Sequence, residues 1–569
     1  LYTNQSGVFN IYDYDTARPP DPTGVNDSSY AINAAATVAG SNGGGVVFVP
    51  PGNYQIQYTI VLPNNVQLVG SDQSDTSITA KPGLMWSSTV ATNTTVMVTN
   101  SSNPPIGTGG VQTGVGVRDI SFDGAAAAQS GVPGGANGAI IELVQVFGVR
   151  IQRCAIYNCQ NNAIAINQGT EAVGPVPGDV KVLDNTIDVM AIAASEGSPA
   201  TGGLAIIVTA FNNVIIRNNV IGYNPNLVKY PHWNPLWGGD GIDVLEASDV
   251  TISGNQITLV QNGITCDWGI DCVLTDNIVE NFLGYGIQTE RLSTEEATSA
   301  VSNLVIAGNA VVAAIGTSTT LSIAGIVASA GLNGADSTPT ASHWAVGNNI
   351  VKGPFSVCGI VCAASDGTCT GNSIDLNTFS TAVQTGMLVQ GSSLAVTGNQ
   401  IFDDSVYTLD HGLSGIGLEF YSDPNNASQT ISYVVVDGNA ISQAKYAVQI
   451  NSTLSNVAIT SNNLTGNITA IQFVSSALSG CRIAGNLGFT PPSVAPLTLN
   501  KNGPATKNTW PYDCTVSVAN GSISGVVING QTIAWPGGTT AGPIVVQVPV
   551  NGMIQVNGSG SITWTWTSQ

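Results

Sequence analysis

Only 9% of the residues are charged, yet Asp240, Asp243, Glu246, Asp267 and Glu290 fall on one stretch of the chain. Three Gly-Ile pairs run through the same stretch, Gly241-Ile242, Gly263-Ile264 and Gly286-Ile287, and put three short segments in a common register. If each segment is extended with its Ile turned inward, the next residue and the one two further on face outward together. Asp243, Asp267 and Glu290 then face outward. Asp267 and Glu290 share a rank on neighbouring segments, ~4.8 Å apart at the backbone, and Asp243, offset by two residues, lies roughly 8 Å from Asp267. Carboxylates about 5 Å apart suit a retaining glycosidase, and about 6.5–9.5 Å an inverting one. Facing acids also raise one pKa, which supplies the proton for a leaving oxygen. Asp240 and Glu246 are reserve members. Any one of these acids reads more readily as a solvated strand residue; their grouping on registered positions is what favours chemistry.

An inserted loop precedes the acids. Residues 222–239 (GYNPNLVKYPHWNPLWGG) concentrate Tyr223, Tyr230, His232, Trp233 and Trp237. Flat aromatic faces stack on sugar rings, so Trp233, Trp237, Tyr230 and His232 are candidate substrate contacts. The same aromatics could instead pack on their own chain or a neighbouring subunit. Arg291 and Lys229 permit a lyase, in which cations neutralise a uronate and Tyr285 or Arg291 takes the α-proton. So few basic residues lie nearby that this ranks below hydrolysis. No cofactor is expected. Ca²⁺ is the one ion that the hard oxygens of Asp240, Asp243 and Asp267 could take, although their spacing is not that of an EF-hand.

Elements that position such a site must repeat. A pattern of alternating apolar residues, a turn residue, Asn and another apolar pair recurs as DVKVLDNTI (179–187), NVIIRNNVI (213–221), DVTISGNQI (249–257), DCVLTDNIV (271–279) and NLVIAGNAV (303–311). It returns as SLAVTGNQI (393–401), YVVVDGNAI (433–441) and NVAITSNNL (456–464). Asn185, Asn219, Asn255, Asn277, Asn309, Asn399, Asn439 and Asn462 hold one place in it, spaced by about 22–24 residues where nothing intervenes. Period-two alternation means strands, and a turn residue at a fixed offset means each strand bends at the same point. Such a turn cannot bury its apolar face alone, so it must stack on its neighbours. The bend is assigned to the Asn, which tolerates the left-handed conformation and can hydrogen-bond from coil to coil. The fold expected is all-β, a right-handed parallel β-helix. Residues 1–26 form an N-terminal segment and 27–495 the β-helix. It opens with a capping helix over 28–38 that has an Asp/Ser start and an Ala-rich body. A small β domain follows over 496–569, where the Asn repeat stops and short strands alternate with Gly-rich turns.

Composition excludes several classes. The 569 residues carry a formal charge of −21 with 14 Lys+Arg, which speaks against a nucleic-acid partner. It speaks less strongly against an anionic glycan, unless Ca²⁺ or a local basic patch intervenes. No apolar run approaches the roughly 20 residues of a membrane span. The sequence starts without Met or a signal peptide, so a processed or trimmed chain is expected. Nine Cys, including Cys154/Cys159, Cys266/Cys272 and Cys358/Cys362/Cys369, have only three His beside them, so buried thiols filling the coils are expected rather than zinc ligands.

The stretch DPTGVNDSSYAINAAATVAGSNGGGVVFVPPGNYQIQYTIVLPNNVQLVG (21–70) resembles the opening segment of the pectate-lyase-like β-helix proteins, above all bacteriophage tailspikes. TVSVANGSISGVVINGQTIAW…VPVNGMIQVNGSGSITWTW (515–566) is similar to a small β domain that ends phage spike proteins. The resemblance implies a homotrimeric, extracellular polysaccharide depolymerase, secreted or on a virion surface. Lyase, fructan transferase and non-catalytic adhesin are the alternatives on the same scaffold. GGDGIDVLEASDVTISGNQI (238–257) also looks like the coil bearing the first catalytic Asp of polygalacturonases. Asp240 matches, but Gln261-Asn262 and Gly284-Tyr285-Gly286 stand where the partner residues belong, so that assignment is rejected.

Overall fold

A computed structural model of the chain describes residues 7–81, 96–100, 112–125, 139–159, 162–167, 176–189, 204–222, 239–267, 270–289, 302–313, 322–328, 342–363, 365–376, 384–403, 415–421, 430–474, 478–490, 499, 501–511, 513–519, 522–533, 544–559 and 561–568. They fall in two compact units, Leu1–Ile360 and Val361–Gln569.

In the first unit each pass of the chain adds one strand to each of three parallel sheets. The pass from Ser248 shows the plan: Ser248–Ser253 in the first sheet, Gln256–Thr258 in the second, Ile264–Asp267 in the third, then Ile270–Thr275 back in the first. Like apolar residues stack through the interior. Ile216, Ile252, Leu274, Ile306 and Val346 are register partners along the first sheet and all are buried. Each such side chain contributes about 1.5–3 kcal/mol of burial, which no single coil could obtain alone.

The expected Asn ladder is present and longer than the repeat predicted. Asn185, Asn219, Asn255, Asn277, Asn309 and Asn349 are 0–1% exposed. From Asn219 onward each Oδ1 accepts from the backbone N–H and the side-chain Nδ2 of the preceding Asn, as Asn277 Oδ1 does from Asn255 at 3.1 and 2.9 Å, while Asn185 Oδ1 accepts from the Cys154 backbone N–H at 2.9 Å. Each Nδ2 also donates to a carbonyl of an earlier coil, Asn277 to Ile252 O at 3.0 Å. The bend itself belongs elsewhere. The left-handed residue is the one before the ladder Asn: Asp184, Asn218, Gly254, Asp276, Gly308 and Asn348, with φ between 55° and 69°. A second left-handed corner opens each first-sheet strand, at Asp179, Asn213, Asp249, Asp271, Asn303 and His343. Asn and Asp reach this region more readily than most residues. The ladder Asn is therefore kept for its amide, not for its backbone.

The Gly-Ile pairs also have a packing cause. A Cβ on Gly241, Gly263, Gly286 or Gly325 would strike an inward branched side chain of the second sheet (Ile257, Val279, Val311 and Val351 respectively) and the carbonyl oxygen of the next glycine along the stack. The third sheet enters its strands too close to the second for any side chain there.

The opening helix runs Ser29–Ser41, three residues past the expected end. Asp27 Oδ1 accepts from Ser29 N (3.0 Å) and Ser29 Oγ (2.6 Å), and Ala31, Ile32, Ala35, Ala36 and Ala39 are fully buried. In the second unit parallel strands recur and a second ladder joins Asn372, Asn399, Asn439, Asn462 and Asn486. Its last strands are antiparallel: Cys514–Ala519 lies between Ile544–Val548 and Thr563–Ser568, and Ser522–Ile528 pairs with Met553–Ser559. Their alternate residues, among them Val516, Val518, Val546, Val556 and Trp566, share one core. All nine Cys are free and buried, as expected of coil-filling thiols. Among the described residues no helix is long and apolar enough to cross a membrane.

Candidate active site

The third sheet of the first unit carries the acids. Register partners along its outward row are Glu142, Ala165, Ile207, Asp243, Thr265, Gln288 and Val327. Leu245 is the partner of Asp267, so Asp267 lies one strand over and two residues on from Asp243, ~8 Å between backbones. Ile242 and Val244 are fully buried in the interior, so Asp243 points away from it. The face is outward but not solvated: Asp243 is 8% exposed, Thr265 6%, Asp267 1% and Gln288 6%. For Asp243 and Asp267 the reading as ordinary solvated positions is thereby corrected, because a carboxylate withdrawn from water this far needs compensation or a proton.

Asp243 takes the proton. Burial, followed by the charge of Asp240, pushes its carboxyl from an ordinary 3.8 to about 7. Among the described residues no hydrogen-bond partner reaches Asp243 Oδ1, and none reaches Thr265 Oγ1 on the neighbouring strand. Asp240 is treated differently. Burial raises it to about 6, but Asn262 Nδ2 donates to its Oδ1 at 2.9 Å and favours the anion. The Asn262 amide is held in that sense because its own Oδ1 accepts from the Tyr285 backbone N–H at 3.0 Å. Three coils away on the same row, burial alone lifts Glu142 to about 7.

The other candidates are dispersed. Glu246 sits in the turn after the Asp243 strand with φ 51°, and its amide donates to Asp267 O at 3.0 Å. Tyr285, half-buried, opens the strand that follows Asp267. Tyr230, His232, Trp233, Trp237, Glu290 and Arg291 lie outside the described residues, and with them the shared rank of Asp267 and Glu290. Among the described residues no group of three or more His, Cys, Asp or Glu side chains is arranged to hold a metal ion. The sequence reading passed over Thr265, Gln288, Asn262 and Glu142. Thr265 and Gln288 follow Gly-Ile pairs as Asp243 does, so the registration itself could have named them; Glu142 follows Ile140-Ile141, with no glycine to mark it.

A buried, protonated carboxyl whose Oδ1, like Thr265 Oγ1 on the neighbouring strand, has no partner among the described residues can donate a proton and receive a ligand hydroxyl. A family model described as the right handed beta helix region matches residues 137–330, the stretch that holds the whole row from Glu142 to Val327. The chain is a right-handed β-helix protein. Comparison of this β-helix protein with curated protein sequences finds no match. Among solved structures it is similar to a tailspike protein variant of E. coli bacteriophage HK620 in complex with a pentasaccharide, at 11% identity and TM-score 0.57 over 98% of this chain and 92% of that one. It is also similar to the catalytic unit of a thermostable GH87 α-1,3-glucanase of Streptomyces thermodiastaticus (13% identity, TM-score 0.40, 85% of this chain, 70% of that chain). A third is the A-module of the mannuronan C-5 epimerase AlgE6 of Azotobacter vinelandii (15% identity, TM-score 0.40, 85% of this chain, 100% of that chain).

Proposed function

We propose that this β-helix protein is a tailspike-like glycoside hydrolase that cleaves a bacterial surface polysaccharide, with Asp243 as general acid. The observation that carries the reading is Asp243 itself: outward, 8% exposed, protonated to about neutral pH and without a partner at Oδ1 among the described residues. In this reading Asp243 protonates the glycosidic oxygen and Asp267 activates water from the other face of the sugar. Their backbone separation of ~8 Å leaves room for that water and favours inversion. Thr265 and Gln288 hold sugar hydroxyls. Asp240, kept anionic by Asn262, stabilises the positive charge that develops at the ring and holds the proton on Asp243. The likeness to a tailspike bound to a pentasaccharide supports a polysaccharide substrate. A homotrimer exposed outside the cell or on a virion completes the reading.

Bacterial lipopolysaccharide and capsule preparations incubated with the purified chain provide the test. Hydrolysis yields new reducing ends and no ultraviolet-absorbing unsaturated sugar. A lyase yields that absorbance, and an adhesin leaves the polymer intact. Asp243→Asn should lower cleavage by about 10²–10⁴-fold, the ordinary worth of a general acid. Cleavage at the wild-type rate by both Asp243→Asn and Asp267→Asn would remove the site from consideration. A monomeric mass by light scattering would count against the spike.

A further inference from the structure

The chain's few cations are not spread evenly. Of 14 Lys+Arg in a chain of charge −21, Arg118, Arg150, Lys181 and Arg217 gather on one face of the first sheet in consecutive coils, with Arg153 at the corner that ends the Arg150 strand. The strands supply the arrangement. Val117, Val149, Ile151, Val180, Val182, Val214 and Ile216 are buried in the interior, so the alternate residues form two outward rows. One row reads Gly116, Arg150, Lys181, Ile215; the other reads Arg118, Gln152, Leu183, Arg217. Arg118 and Arg217 are three coils apart, roughly 14 Å along the stack, with Arg150 between them.

Acids at the corners neutralise only part of this face. Arg153 pairs with Asp119 through Nε (2.6 Å) and Nη2 (2.8 Å), and Lys181 pairs with Asp179 at 2.7 Å. Asp184 accepts from the amides of Gln152 and Asn218, both at 3.1 Å. Arg150 spends its Nε on the neutral Gln152 at 2.8 Å. Among the described residues Arg118, Arg150 and Arg217 have no ion-pair partner, and Arg118 Nε is buried without any hydrogen bond. Arg150 and Arg217 are exposed. Unpaired guanidinium forks in line match planar oxyanions carried at intervals on an extended polymer.

We infer that this face of the first sheet binds an acidic polysaccharide, bearing uronate or sulfate groups, at a site separate from the third-sheet acids. The two faces divide the work electrostatically. Anionic Asp240 and the protonated carboxyls of Asp243 and Glu142 give the third sheet nothing that attracts an anionic chain, whereas the arginine rows do. A nucleic acid, with about one charge per 1.7 Å of duplex, needs a broader basic surface than five cations on a chain of −21 provide.

Calorimetric titration of the full chain at low ionic strength tests this, with polygalacturonate, dextran sulfate, neutral dextran and a DNA duplex as probes. Polygalacturonate or dextran sulfate should bind, neutral dextran should not, and binding should weaken as salt is added. Arg150→Gln/Arg217→Gln, a change at two exposed side chains, should weaken binding about tenfold for the loss of two charge-assisted contacts. Lys501→Gln/Lys507→Gln, of equal charge change, should stay within about twofold. Asp243→Asn should leave this binding intact, so that failure here and failure of the hydrolase reading are told apart. No binding of either acidic polymer, equal binding by the arginine variant, or tighter binding of DNA would overturn the inference.

Discussion

Replacing Asp243 by Asn should make the protein more stable at alkaline pH while lowering the proposed cleavage about 10²–10⁴-fold. A buried carboxyl raised from 3.8 to about 7 holds its proton in the folded state over a range in which the unfolded chain has released it. The folded protein therefore loses stability as pH climbs from about 4 to about 7, and the loss is complete above the folded value. Each tenfold in proton affinity is worth about 1.4 kcal/mol. The difference between 3.8 and about 7 thus amounts to about 4 kcal/mol at pH 8, an upper bound because water reaching the site would soften it. Asparagine has the same shape and nothing to ionise. Removing the negative charge at 243 also relieves Asp240, whose charge is part of what raises Asp243. Denaturant midpoints for both proteins from about pH 4 to about pH 8 would measure the effect. The curves should coincide at the acid end and separate steadily, with Asp243→Asn the more stable at the alkaline end. A variant no more stable than wild type at pH 8, or a gap that does not change with pH, would show that Asp243 is not held in a protonating site.

Three other substitutions probe the scaffold and the acid pair. Asn277→Ala removes the acceptor of the Asn255 amide and the donor to Ile252 O, leaving buried polar groups unpaired, and should cost about 3–5 kcal/mol, whereas exposed Gln256→Ala should change the midpoint little. Gly263→Ala drives a methyl into Val279 Cγ1 and Gly286 O, and the overpacking should cost about 1–3 kcal/mol by the same measurement. Asn262→Ala frees Asp240 from the donor that favours its anion, so Asp240 takes up a proton more readily and repels Asp243 less. The alkaline limb of the pH–cleavage profile, set near 7 by Asp243, should then move to lower pH; an unmoved limb would assign that limb to another group.

Much of the fold was legible because each coil repeats the same local problem. Alternation marks the strands, and the recurring Asn marks the two ladders, even though their extra members, Asn349 in the first unit and Asn372 and Asn486 in the second, were not among the repeats. What misled was the reason for the Asn. Sequence shows a turn residue and an Asn side by side, and only backbone angles assign the left-handed corner to the first and the stacked amide to the second.

By itself the sequence determined which residues face inward, which face outward and how far apart in register the acids lie, because strand parity and coil period are local properties. It placed Asp267 two residues and one coil from Asp243, and the sheet register has the same offset. Whether an outward face meets water was decided only by tertiary structure. Asp243 and Arg150 are both outward residues of the same stack, yet one is 8% exposed and protonated to about 7 while the other is exposed and charged. Burial depends on what the rest of the chain lays over a face. The gathering of four cations on one sheet was equally hidden, because residues 118, 150, 181 and 217 become neighbours only when the coils stack.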